Sequence, residues 1–98
     1  MAKFEWDPKK AESNEKKHRV SFERALTAFD DPYALIALDV RHTTVEEKRE
    51  WLIGEAEPGV LVIVFTMRAA RQVVRIISAR RANRKERKVY EKAKRIPI

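Results

Sequence analysis

Cysteine is absent from this chain of 98 residues, which excludes a disulfide framework and any thiolate zinc site. Glycine is nearly absent too. Gly54 and Gly59 stand alone, so there is no glycine-rich loop to cradle a phosphate. His18 and His42 are single, without partners that would make a convincing metal cluster, and no nucleophilic triad is supported. Long apolar runs are missing as well: "YALIAL" and "VLVIVF" fall far short of the ~20 residues of a membrane helix. The start, "MAKFEWDPKK", has no apolar signal core. These absences lead us to expect a soluble intracellular protein with no cofactor and no membrane engagement.

Acidic residues are scarce in one part of the chain only. Residues 1–60 hold ten Lys or Arg against thirteen Asp or Glu, a net of −3, whereas residues 61–98 hold twelve against two, a net of +10. The excess is densest in "RIISARRANRKERKVY", residues 75–90. Crowding cations in this way costs repulsion unless an anion compensates. Phosphate neutralisation supplies most sequence-independent affinity for nucleic acids, so a nucleic acid is the expected polyanion. A solvated face or an anchor for an acidic protein partner fits the charge alone as well.

The length suits one domain over residues 1–98, with one modest core and a surface site in place of a deep pocket. A short strand, "KFEW", precedes Asp7-Pro8, a cap followed by proline at the first helical position. The helix that follows runs to about His18, and its inward face of Ala11, Asn14 and His18 is only partly apolar. Ser21 caps a second helix with Phe22, Ala25, Leu26 and Phe29 on one stripe, and "DDP" stops it. The segments "YALIAL", "EWLIGE", "VLVIVFTM" and "VVRIIS" read as strands. Glu57-Pro58-Gly59-Val60 has the composition of a type II turn. Asn83 and Glu86 match a capping box, predicting a last helix from about Arg84 with Val89 and Ala93 inward. The expected class is α+β in the order β-α-α-β-β-β-β-α, an antiparallel sheet with helices on one face.

Cleaving RNA without a metal requires a group to take the 2′-hydroxyl proton, cations at the phosphorane oxygens and a donor for the departing 5′ oxygen. Arg68, ending the third long strand, and Arg80, following the fourth, are expected near one sheet end beside the last helix, as are Glu86 and its i+4 neighbour Tyr90. Each residue also has a plainer reading. Arg68 and Arg71 suit a hairpin, Arg75 a solvent face or an ion pair, and Glu86 a cap. Tyr90 suits a half-buried core position with a wet hydroxyl, and His18 an ordinary structural role.

The stretches "FEWDPKKAESNEKKH", "VSFERALTAFDDP" and "RIISARRANRKERKVYE" together resemble the BrnT family of type II toxins, and the resemblance covers nearly the whole chain. It implies a RelE-like fold and a metal-independent ribonuclease that inhibits translation. It also implies a BrnA-type antitoxin that neutralises the toxin, with operator DNA bound only through that antitoxin. The residues it carries forward are His18, Arg68, Arg80, Glu86 and Tyr90. On this reading Arg68 and Arg80 bind the scissile phosphate, His18 or Glu86 is the base, and Tyr90 orients substrate or donates to the leaving group. Arg71, Arg75, Arg81, Arg84 and Lys85 form the surrounding RNA surface. One departure stands out: Arg19 occupies a place where the family pattern reads glycine. The alternatives are a non-catalytic basic module that binds nucleic acid and a domain that docks an acidic protein.

Overall fold

The computed structural model describes residues 3–68, 70 and 72–95. Its elements run β1 (Lys3–Glu5), α1 (Pro8–His18), α2 (Phe22–Ala25) continuing as a 3-10 helix (Leu26–Asp30), β2 (Leu35–Leu38), β3 (Arg49–Ala56), β4 (Gly59–Arg68), β5 (Val73–Arg81) and α3 (Arg84–Arg95). The class and element order are those expected. The five strands form one sheet in the order β1-β5-β4-β3-β2. Three pairings are antiparallel, but β1 lies parallel to β5, with Lys3 opposite Val73 and Glu5 opposite Arg75. The sheet is therefore mixed. No helix among the described residues is long and apolar enough to cross a membrane.

Alternation along β3 and β4 sends Leu52, Leu61, Ile63 and Phe65 to one face, where they pack with Val20, Phe22, Ala25 and Ala28 beneath α1 and α2. Edge-to-face ring contacts extend this core from Phe4 through Phe29 to Phe65, at 5.0 and 5.4 Å between centroids. The residues one step out of phase, Ile53 and Val62, join Ala82 and Tyr90 in a smaller cluster under α3. Helices thus cover both faces, correcting the expectation of one. The inward side of α3 also differs: Val89 is 52% exposed and Tyr90 is 0% exposed. The wider ring buries more apolar surface, and its hydroxyl finds a partly buried partner in Asp31.

α1 has little apolar surface to bury and is fastened by Asn14. Its Nδ2 donates to the carbonyls of Val20 (3.0 Å) and Ala79 (2.8 Å), and its Oδ1 accepts from the Ala79 N–H at 3.1 Å. At the other end of the sheet, the β3–β4 reversal falls on Glu57-Pro58, one residue earlier than predicted, because Ala56 already pairs with Gly59.

Arg19 ends α1 at φ 58° and ψ 32°, the left-handed conformation for which glycine is the usual choice. A side chain there costs on the order of 1 kcal/mol, part of which glycine returns as unfolded-chain entropy. Arg19→Gly is expected to raise stability by ~0.5–1 kcal/mol, read as a higher midpoint in thermal or denaturant unfolding. An unchanged or lower midpoint would show that the arginine side chain offsets the strain.

Candidate functional site

β5 leaves the sheet through Arg80 and Arg81, and the Ala82 N–H still donates to Val60 before the chain turns into α3. Asn83 and Glu86 close that turn reciprocally. The Glu86 N–H donates to Asn83 Oδ1 and the Asn83 N–H to Glu86 Oε1, each at 2.8 Å, which is the predicted capping box. The same carboxylate receives Arg80 in a two-point pair, Nη1 to Oε1 and Nη2 to Oε2, both 2.8 Å. The Arg80 hydrogen bond holds the Glu86 carboxyl below the usual carboxylate range, against the opposing effect of burial. Glu86 is thereby a cap and a clamp for Arg80, with both oxygens engaged. The guanidinium keeps its Nε–H and a second Nη2–H for an outside acceptor.

Arg80 stands opposite Val62, on the sheet face that α3 only partly covers. The remainder of that face is a groove of about 590 Å³. Trp51, Ile53, Val62, Val64 and Ile77 supply its apolar lining, and Arg80, Lys85, Glu86 and Val89 line it from β5 and α3. Asp39, His42 and Arg49 line it from the β2–β3 connection and the start of β3. His42 Nδ1 lies 3.0 Å from Asp39 Oδ2 and 3.2 Å from Oδ1. The connection carrying this pair is tied down by Thr43, whose Oγ1 accepts from the Arg49 N–H and donates to its carbonyl, each at 3.0 Å.

The predicted residues divide around this groove. Arg80, Lys85 and Glu86 line it. Arg68 does not join Arg80: an antiparallel hairpin sets the end of one strand beside the start of the next, so Arg68 pairs with Val73 while Arg80 pairs with Val62. Six residue steps along β4, from Val62 to Arg68, separate the two places, roughly 20 Å of strand. Arg68 instead reaches Glu47 at 3.6 Å, whose other oxygen accepts from Arg49 Nε at 2.8 Å.

His18 ends α1 and is not among the groove residues. Burial, then Lys17 and Arg80, push its imidazole below the ordinary value. Tyr90 is buried with its hydroxyl donating to Asp31, and burial followed by that bond raises the phenol pKa. Burial alone would raise the Asp31 carboxyl, but donation from the Glu55 N–H, Tyr90 and the Tyr33 N–H outweighs it. Tyr90 therefore acts as a fastening between α3 and the end of the 3-10 helix.

Arg75 pairs with Glu5 across the parallel strands, the ion-pair alternative for that residue. Arg81 donates to the Pro58 carbonyl. Arg84 lies with Arg87, Lys88, Lys92 and Arg95 along a basic side of α3 away from the groove. Arg71 falls outside the described residues.

Asp39, His42, Arg49, Trp51 and Ser78 line the groove without having been expected there from the sequence. The available signal was Asp39-x-x-His42, a carboxylate placed three residues before a histidine in a loop. Among the described residues no three of His, Asp and Glu come together as a metal-ligand set.

A family model described as "Ribonuclease toxin, BrnT, of type II toxin-antitoxin system" matches residues 6–86. No curated protein matches the chain at a significant level.

Proposed function

Because the chain belongs to the BrnT family of ribonuclease toxins of type II toxin-antitoxin systems, we propose that it cuts RNA in the groove between α3 and the β2–β3 connection. The observation that carries this placement is Arg80, clamped in two places by Glu86 with its free N–H groups available to a phosphate. Lys85 and Arg49 add positive charge along the same groove, and Trp51 offers a π face on which a base can stack. The remaining basic side of α3 guides the strand by charge alone.

In this reading Arg80 binds the scissile phosphate, Lys85 supports it and Glu86 positions Arg80. Arg68 and Arg75 hold the sheet ends through their ion pairs, and Tyr90 fixes α3. His18, at the end of α1, does not line the groove. Cleavage proceeds without a metal, because fixed guanidinium and ammonium groups supply the charge stabilisation that a metal would otherwise give. Cut messages stop translation in the cytoplasm. A BrnA-type antitoxin neutralises the protein by laying acidic side chains over the groove and the basic side of α3.

The test is incubation of the purified protein with a single-stranded RNA oligonucleotide in excess chelator, resolved by gel. Cleavage products are expected, and their formation is expected to slow as salt rises. Binding without cleavage would favour the non-catalytic nucleic-acid module, and neither binding nor cleavage the acidic-protein dock.

A further inference from the structure

His42 has no place in the roles assigned above, yet it lines the same groove as Arg80. Its ring is held at one nitrogen by Asp39, and this arrangement has a chemical consequence. A carboxylate at Nδ1 favours the tautomer that carries its proton there, leaving the Nε2 lone pair free to accept another. Asp39 is well sheltered, with 14% side-chain exposure, whereas His42 is open at 60%. An anchored carboxylate behind an accessible imidazole is the arrangement of an oriented base.

The charged groups around the groove complete the setting. Arg49 lies on the His42 side, Lys85 and Arg80 line the other, and Glu86 is already spoken for by Arg80 and the Asn83 N–H. A base and a phosphate clamp are therefore held by separate elements that meet at one groove. Glu86, the alternative carboxylate base, has both oxygens occupied and its pKa lowered by Arg80. His18 does not line the groove.

We propose that His42, oriented by Asp39, is the catalytic base that takes the 2′-hydroxyl proton of an RNA strand whose phosphate is held by Arg80. This rests on the RNA-cleaving reading of the groove. His42 Nε2 accepts the proton as the O2′–P bond forms, and the P–O5′ bond breaks. The departing 5′ oxygen regains a proton from the protonated imidazole through water, so no other reactant is consumed. The products are a 2′,3′-cyclic phosphate and a free 5′ hydroxyl. Asp39 is a positioning residue, acting on substrate only through the ring.

The test compares the wild type with His42→Gln, His42→Ala and Asp39→Asn on an RNA oligonucleotide in single-turnover kinetics. Thermal melting and fluorescence anisotropy with the 2′-O-methyl analogue report fold and binding. His42→Gln is expected to melt and bind as the wild type does and to cleave ~100-fold more slowly. It should also show a pH–rate profile that differs from the wild type's. Free imidazole should restore part of the rate to His42→Ala, which loss of a merely structural contact would not allow. Asp39→Asn should still cleave, at a lowered rate, because the imidazole remains but loses the carboxylate that orients it.

A wild type that cleaves while His42→Gln cleaves equally fast, with the same pH profile, overturns this inference alone. A wild type that binds RNA and never cleaves overturns the reading of the groove and the inference together.

Discussion

Replacing Arg80 with alanine is expected to slow RNA cleavage by ~100-fold, the scale on which enzymes lose rate when one donor to a transition-state oxyanion is removed. Arg80 is held by two bonds to Glu86, so its remaining N–H groups face the groove without having to be ordered when substrate arrives. Arg80→Lys keeps the charge and loses the fork, and should recover only part of the rate. Glu86→Gln retains the cap, because an amide oxygen also accepts from the Asn83 N–H, but it weakens the grip on Arg80. It should fold normally and lose less activity than Arg80→Ala. Full activity in a folded Arg80→Ala protein would remove the residue from the site. Complete loss at every pH in Glu86→Gln would return the carboxylate to candidacy as a base.

The largest expected effect on stability comes from Asn14, which does for α1 what an apolar face does for most helices. The residue is 7% exposed, and its three bonds reach groups of Val20 and Ala79, themselves 1% and 0% exposed. Asn14→Ala strands a buried N–H and two carbonyls in a region with little access for water. The expected cost is ~3 kcal/mol. In a domain of this size that lowers the melting midpoint by ~15 °C. Asn14→Asp is no remedy, because a carboxylate satisfies the Ala79 N–H while facing two carbonyl oxygens with no donor. A loss under ~1 kcal/mol for Asn14→Ala would mean that the helix end rearranges to satisfy these groups.

What could be read from the chain, and what could not, follows from how far each determinant lies from the residue it decides. The caps Asp7, Ser21 and Asn83 act within three residues, and all three are found where the pattern places them. The long strands declare themselves through continuous apolar runs. Tyr90 displaced Val89 from the core because its hydroxyl partner, Asp31, lies 59 residues away. The parallel partner of β1 has no local signal at all. Arg68 was misplaced for a different reason: hairpin geometry already separates a strand's end from the end of its neighbour. His42 carries no sequence mark of a metal site, and what stands beside it is the carboxylate of Asp39.

The parallel pairing of β1 with β5 also sets the order in which the protein comes into being. Lys3 leaves the ribosome some 70 residues before its partner Val73, several seconds at ordinary elongation rates. Asn14 waits equally long for Ala79. Until then the first segment has no sheet to join, and closing so long a loop is slow. Arg80, Lys85 and Glu86 emerge later still. A ribosome making this chain therefore meets a finished groove only once α3 has emerged, and a product terminated before α3 carries none.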